Sequence, residues 1–279
     1  MSTGHSPKAS IIISVYNRMD FLKLVLAGFE IQTEKDFEII ISDDGSNDAF
    51  VKELRQLQQQ SPLAIIHNWH ADDGFRKNQV LNKSIVMARA PYLIFVDGDC
   101  IPHPAFVAEH LAHAAINVCL AGRRMDLSER ITKQLTLEKI KQGYLQAAGT
   151  TIGMFIDYAR LKLFHVMNGI YVKSKILRNY FNRKERGLLG ANFSLFKADL
   201  FAINGFDERY VTPTFGEDSD IELRLRINGV KILPVLNIAV MYHCKHKLLP
   251  RLDASKAIYE MAVAEHRAFT PYGIVKPGR

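Results

Sequence analysis

Two aspartates separated by one glycine close an apolar run, Tyr92–Leu93–Ile94–Phe95–Val96 leading straight into Asp97–Gly98–Asp99. A strand that ends this way delivers its acids to the carboxyl edge of a sheet, where open α/β folds build their ligand crevice. Adjacent carboxylates repel unless a cation lies beside them. Mg²⁺ or Mn²⁺, which favours carboxylate, water and phosphate oxygens, fits such a site together with a nucleotide diphosphate; a plain solvent-exposed Asp-Gly turn accounts for the same residues. A second acidic turn, Asp43–Asp44–Gly45–Ser46, follows the apolar run Phe37–Ser42. There an aspartate accepts from a base N–H or a ribose hydroxyl, or else caps the next helix at Asn47 or Asp48 as an Asx turn. Asn17–Arg18 follows the first apolar run in the same manner, and three polar turns at three successive strand ends point to one shared edge. Glu217, Asp218 and Asp220 open a helical stretch, a position where acids interact favourably with the helix dipole. No GxGxxG follows the first strand and no GxxxxGK[ST] occurs, which disfavours dinucleotide and P-loop sites, and His110 and His113 lack the HExxH setting of a zinc protease.

The elements that must position these residues follow from periodicity. Ser10–Tyr16 reads as a strand, and Phe21, Leu24, Val25, Gly28 and Phe29 recur at helical spacing behind it. The pattern returns as strand Phe37–Ser42, helix Ala49–Gln59, strand Leu63–His67, helix Asn78–Ala88 and strand Tyr92–Val96. Such alternation predicts an α/β fold with a largely parallel central sheet flanked by helices. The second half is less regular. Leu127–Gln146 reads as one or two helices, Phe155–Tyr180 permits an amphipathic helix, and Gly187–Phe196 reads as a strand. Asp199–Ile203 and Asp218–Ile227 read as helices, and Val230–Val240 as a strand interrupted by Pro234. No linker rich in Pro, Gly or Ser divides the chain, so one domain with a variable middle insertion is expected.

Length and composition agree. At 279 residues, 48% hydrophobic and 23% charged, the chain is long and apolar enough for a large core, which excludes disordered, collagenous and coiled-coil classes. The net charge of +7 favours an anionic ligand or membrane surface. The basic residues are scattered and no nucleic-acid-binding motif occurs, so no nucleic-acid partner is expected. Cys100, Cys119 and Cys244 form no CxxC, which fits a reducing compartment. The polar start Met1–Lys8 predicts no signal peptide, and no window approaches the roughly 20 apolar residues of a transmembrane helix.

The ordered set Ser14–Val15–Tyr16–Asn17–Arg18, Asp43–Asp44–Gly45–Ser46, Asp97–Gly98–Asp99 and Phe215–Gly216–Glu217–Asp218–Ser219–Asp220 resembles the family 2 glycosyltransferases of the GT-A fold. From Gly190–Ala191–Asn192–Phe193 through Gly205–Phe206–Asp207–Glu208 to Gly216–Glu217–Asp218–Ser219–Asp220 the chain also looks like bacterial chondroitin-polymerase modules and the catalytic region of galactosyltransferases. The likeness spans about residues 9–244.

The resemblance implies inverting, metal-dependent transfer of a hexose or N-acetylhexosamine from a UDP-sugar to a saccharide or lipid-linked saccharide, in surface polysaccharide or lipopolysaccharide synthesis. It implies Asp44 on the uracil ring, Tyr16 and Arg18 beside base and ribose, and Arg76 and Lys77 toward phosphate or the donor sugar. Asp97–Gly98–Asp99 becomes a DxD motif, with Asp97 nearer the ribose and Asp99 on the metal. His243 completes a metal site better suited to Mn²⁺ than Mg²⁺, and His246 joins Lys245 and Lys247 in a basic loop over the diphosphate. Asp218 becomes the catalytic base and Glu217 an acceptor contact. Read from the residues alone, Asn192, in a small and polar stretch before an apolar strand, and the single Trp69 are further acceptor candidates, and Phe206 and Phe215 flank the acceptor-like segment or pack a loop.

The expected division is a single GT-A catalytic domain over 1–279: a nucleotide-sugar half (9–122), a helical insertion (123–186), an acceptor-binding and catalytic half (187–244) and a basic extension (245–279). The expected location is cytoplasmic, with peripheral contact to an anionic inner membrane through Tyr158–Arg183, Lys276 and Arg279; a solvated helix face accounts for those residues equally well. A sugar-phosphate nucleotidyltransferase and a non-catalytic nucleotide- or carbohydrate-binding module are the alternatives.

Overall fold

The computed structural model describes residues 6–161, 165–213, 216–247 and 255–276. The first elements are β1 (Ala9–Val15), α1 (Met19–Glu30), β2 (Phe37–Asp43), α2 (Asp48–Gln60), β3 (Ile65–Trp69), α3 (Lys77–Met87), β4 (Tyr92–Asp97), β5 (Cys100–Pro102) and α4 (Phe106–Ala112). Next come β6 (Val118–Ala121), β7 (Met125–Asp126), α5 (Glu129–Gln134), α6 (Leu137–Lys141), α7 (Ala148–Leu161) and α8 (Lys175–Phe181). Then follow β8 (Asn192–Phe196), α9 (Lys197–Ala202), α10 (Glu217–Ile227), β9 (Lys231–Pro234), β10 (Met241–His243) and α11 (Lys256–Glu265).

Seven strands form one sheet in the order β3-β2-β1-β4-β8-β6-β9, in which β8 alone runs against its neighbours. Both faces are covered, so the central strands read as unbroken apolar runs. Ile11, Ile13, Ile39, Ile41, Ile94 and Val96 pack with Leu22, Val25 and Phe29 of α1 on one side. Ile12, Ile40, Leu93 and Phe95 meet Leu81 and Ile85 of α3 and Ile221 and Leu225 of α10 on the other.

Register sets the functional edge. Ser14 of β1 lies opposite both Ser42 of β2 and Asp97 of β4, and Val15 lies opposite Asp43. The residues that follow, Tyr16, Asp44 and Gly98–Asp99, therefore emerge side by side. The Gly98 N–H donates to the Ser14 carbonyl at 2.8 Å. A β-carbon there would meet Val15 Cγ1 at 2.7 Å, so only glycine lets the chain turn this closely over β1. A second sheet, β5-β10-β7, sets His243 opposite Cys100 on one side and Asp126 on the other. The Cys244 N–H donates to the Asp99 carbonyl at 2.9 Å, which ties the end of β10 to the acidic turn.

Several expected boundaries shift. The expected strand Gly187–Phe196 is regular only over Asn192–Phe196. Leu127–Gln146 forms α5, α6 and a 3₁₀ turn at Tyr144–Gln146. Phe155–Tyr180 is not one helix: His165, at φ 74°, introduces a 3₁₀ turn at Val166–Gly169 between α7 and α8, and a right-handed helix does not run through a left-handed residue. Trp69, expected in a loop, is the last residue of β3. The run Val230–Val240 is strand only to Pro234, whose missing N–H cannot continue a ladder. Phe215 and Arg279 lie outside the described residues.

Candidate active site

The carboxyl edge of β1, β2 and β4 opens onto a cleft of about 410 Å³, lined by Tyr16, Arg18, Asp44, Lys77, Asp97 and Asp99 among others. Six residues singled out from sequence thus share one wall. The two aspartates of the Asp43–Asp44 pair divide the two readings of that turn between them. Asp43 is fully buried, accepts from the Ser46 N–H at 2.8 Å and pairs with His67, while Asn47 caps α2 by accepting from the Phe50 N–H at 3.0 Å. Asp44 faces the cleft. Its carboxylate accepts the Arg76 N–H at 3.0 Å and meets His70 Nε2 at 2.9 Å; burial raises its pKa against those two hydrogen bonds. Tyr16 is half exposed and its hydroxyl donates to Asp72 at 3.0 Å. The Arg18 guanidinium stacks on Phe21, 3.8 Å from the ring centroid.

The Arg76 guanidinium lies 3.1 Å from Asp73, outside the cleft lining, and its backbone N–H meets Asp44. Lys77 points inward, 3.6 Å from Asp97 and 3.7 Å from Glu217. Burial alone would lower its pKa, but Asp97, Glu217 and Asp218 outweigh burial and keep the ammonium protonated. Arg124, which sequence reasoning missed, lies 3.7 Å from Asp97 and 3.7 Å from Asp126. Asp97 is therefore neutralised by two cations of the protein itself.

Asp99 belongs to a different group. Its Oδ2 lies 2.9 Å from His246 Nε2 and 3.5 Å from His243 Nε2, and the two imidazole nitrogens are 3.1 Å apart. His246 Nδ1 must donate to the Lys247 carbonyl at 2.9 Å, because a carbonyl only accepts. His243 Nδ1 meets the Asp126 carboxylate at 2.8 Å, an acceptor that holds the imidazole in the tautomer a metal ligand needs. Asp99 raises the pKa of both imidazoles against burial; in their neutral form, with both Nδ1 atoms donating, they would turn two Nε2 lone pairs and one carboxylate oxygen onto a common point. These three atoms lie within 4.8 Å of one another. Three electron-pair donors converging in this way fit a divalent cation, and a donor set of two nitrogens and one oxygen suits Mn²⁺ better than Mg²⁺. His246 is thus the residue whose placement departs most from expectation: it sits inside the cluster, not over it. The spacing His243–Cys244–Lys245–His246 at the end of an apolar run was the sequence clue.

Asp218 and Glu217 occupy the first turn of α10, beside a narrow recess that shares Ser14 and Lys77 with the main cleft. The Gly190 N–H donates to Asp218 Oδ2 at 2.8 Å. Burial pushes the Asp218 pKa up to about 6; Lys77 and the Gly190 N–H oppose the shift, and Glu217 and Asp97 add to it. Glu217 Oε2 is buried without a hydrogen-bond partner among the described residues, so it has an open acceptor position for a hydroxyl. Asp220, by contrast, is committed to a buried pair with Arg224 at 2.6 Å.

The remaining two acceptor candidates do not join this group. Asn192 is fully buried; its Nδ2 donates to the carbonyls of Arg123 and Ala239 and its Oδ1 meets His110, so no atom of its amide is left for a ligand. Trp69 ends the edge strand β3, four strand positions or roughly 19 Å from β8. Its indole N–H is spent on the Ser46 carbonyl at 3.0 Å.

A family model described as glycosyl transferase family 2 matches residues 10–170, and one described as the N-terminal domain of galactosyltransferase matches residues 173–247. Validoxylamine A glucosyltransferase of Streptomyces hygroscopicus subsp. jinggangensis is 27% identical over 237 residues, covering 82% of this chain and 54% of that protein. Chondroitin synthase of Escherichia coli is 28% identical over 249 residues, covering 84% of this chain and 34% of that protein. The chain therefore spans about half the length, or less, of these curated relatives. Among solved structures, GalNAc-T7 with UDP, GalNAc and Mn²⁺ superposes with a TM-score of 0.61 at 14% identity, over 94% of this chain and 48% of the other. That likeness shows a shared GT-A fold.

Proposed function

The chain belongs to glycosyl transferase family 2, and from that premise we propose that it transfers a hexose or N-acetylhexosamine from a UDP-sugar to a saccharide hydroxyl, inverting the anomeric carbon. The observation that carries this reading is the convergence, at one sheet edge, of three groups of side chains. They are the Asp44 pocket, the Asp99–His243–His246 cluster, and a carboxylate with its pKa raised to about 6 behind Lys77.

Each group has a task. Asp44, fixed by His70 and the Arg76 N–H, accepts from the uracil ring N–H, and Tyr16 borders the base. Lys77 and Arg124 hold Asp97 for the ribose. Asp99, His243 and His246 would hold Mn²⁺, which when bound supplies positive charge beside the leaving diphosphate. Asp218 takes the proton of the acceptor hydroxyl as that oxygen attacks the anomeric carbon. The new carbon–oxygen bond forms, the bond to the diphosphate breaks, and its electron pair leaves with UDP. The proton remains on Asp218, whose raised pKa matches a base working near neutral pH. No second carboxylic acid is required, because the diphosphate leaves as an anion.

Nucleotide release from a panel of UDP- and GDP-sugars with Mn²⁺, with and without saccharide acceptors, tests the reading. Release of UDP from a single hexose or N-acetylhexosamine donor is expected; turnover confined to GDP-sugars, or none with any donor, would refute it. A more local result is expected at Gly190, where a β-carbon would overlap the Asp218 carboxylate. Gly190→Ala should lower kcat about 100-fold, the cost of an ångström-scale displacement of a reacting group, with unchanged UDP affinity by calorimetry. An equal loss in UDP binding would place Gly190 in the donor pocket instead.

A further inference from the structure

We propose that α8 and the chain that follows it dock this protein on an anionic lipid bilayer. The whole chain carries a net charge of +7, and residues 158–186 contain eight Lys and Arg against one acid, Glu185. This stretch of about a tenth of the chain therefore accounts for the entire excess, and the remainder is electrically balanced.

The structure shows which way α8 faces. Arg178 is tied inward to Glu109 of α4, its Nη1 donating at 3.0 Å, and Asn182 exchanges hydrogen bonds with Leu236, donating at 3.1 Å and accepting at 2.7 Å. With these two anchors on the inner side, Ile176, Leu177 and Tyr180 are 81%, 48% and 61% exposed. Lys173, Lys175, Arg183 and Lys184 are exposed around them, and Arg183 lies 5.3 Å from the Tyr180 ring centroid. An aliphatic and aromatic ridge set among basic residues is the composition of a helix lying in a headgroup layer. Ile176 and Leu177 have nothing to offer a soluble polyanion, which separates a bilayer from a nucleic acid. No helix among the described residues is long and apolar enough to cross a membrane, so contact through α8 is peripheral.

The basic stretch leads directly to the candidate active site. The Gly187 carbonyl accepts from Arg123 at 2.6 Å, the Leu188 N–H donates to Glu222 at 2.6 Å, and Gly190 holds Asp218. Docking through α8 would bring a saccharide on a lipid carrier to the acceptor side. That consequence rests on the catalytic reading, whereas the docking itself does not.

Co-sedimentation with vesicles of phosphatidylcholine alone, or with 30 mol% phosphatidylglycerol added, tests the proposal on the 279-residue chain. Binding is expected on anionic vesicles and should be lost on neutral vesicles and in high salt. The triple variant K175E/R183E/K184E should weaken it at least on the order of a hundredfold. I176S/Y180S should weaken it with all charges intact. UDP affinity, measured in parallel, should stay at the wild-type value in both variants, which separates failed docking from failed folding or a failed donor site. Equal binding to neutral vesicles, no vesicle binding, or undiminished binding by I176S/Y180S would each overturn the proposal. The last result, together with tight binding of a DNA oligonucleotide, would mark the surface as a general polyanion site.

Discussion

Asp218→Asn should abolish transfer, lowering kcat by about 10²–10⁴-fold, the usual contribution of a positioned general base, with UDP binding unchanged. Asparagine keeps the shape of the side chain and can still accept the Gly190 N–H, but it cannot take a proton. The same substitution should make the protein more stable. Burial raises the Asp218 pKa from the ordinary 3.8 to about 6. A carboxyl whose folded pKa lies above its unfolded value destabilises the fold once ionised, fully above about pH 6, and ceases to do so as pH falls toward 3.8. The benefit of removing that charge is roughly 2 kcal/mol after allowing for partial contact with water, or several degrees in Tm. The difference between variant and wild type should therefore be largest at pH 7.5 and shrink between pH 6 and pH 4. Wild-type kcat/KM should rise with pH through an apparent pKa near 6. A variant that retained transfer would remove Asp218 from the mechanism, and one with lowered Tm at pH 7.5 would show that its charge stabilises the site.

The second large effect belongs to the Asp99 cluster. Asp99→Ala should eliminate the Mn²⁺-dependent part of UDP binding, read as calorimetric titrations with and without the ion. His246 allows a sharper test, because two roles for it predict opposite outcomes. As a member of the cluster, His246→Lys should weaken Mn²⁺ binding as severely as His243→Ala, since an ammonium cannot donate a lone pair. As a basic residue over the diphosphate, it would tolerate lysine and keep its UDP affinity. The 2.9 Å approach of His246 Nε2 to Asp99 favours the first outcome. Asp126→Asn, which weakens the acceptor at His243 Nδ1 and removes the charge facing Arg124, should cost 10–100-fold in Mn²⁺ affinity. Mn²⁺ electron paramagnetic resonance reports these affinities without reference to turnover. Unchanged metal binding in both His variants would dissolve the cluster as a metal site.

Residues on the long strands were legible early, for a physical reason. β1, β2 and β4 are six or seven residues long and buried on both faces, so their apolar runs stand out, and parallel register leaves their polar ends at one edge. Asp44, Asp97 and Asp99 followed from that logic, whereas Tyr16 was named only through the family resemblance. Asn192 misled because a small and polar stretch before an apolar strand looks like a wall close to a sugar, whereas its amide is occupied inside the core. Trp69 misled because its strand runs two residues further than its pattern suggested.

By itself, then, the sequence determined the α/β class, the order of the strands and helices that carry the acidic turns, and the family resemblance those turns express in combination. These are local properties, encoded in unbroken apolar runs and in helical spacing of apolar residues over stretches longer than five or so positions. Tertiary structure alone decided which acids meet. β5, β7 and β10 are only two or three residues long, too short for any periodic pattern, yet their pairing draws Asp99, Asp126, His243 and His246 from distant parts of the chain to one point. The elevated pKa of Asp218 arises likewise from desolvation between Gly190 and Lys77, a product of packing that no short run of residues contains.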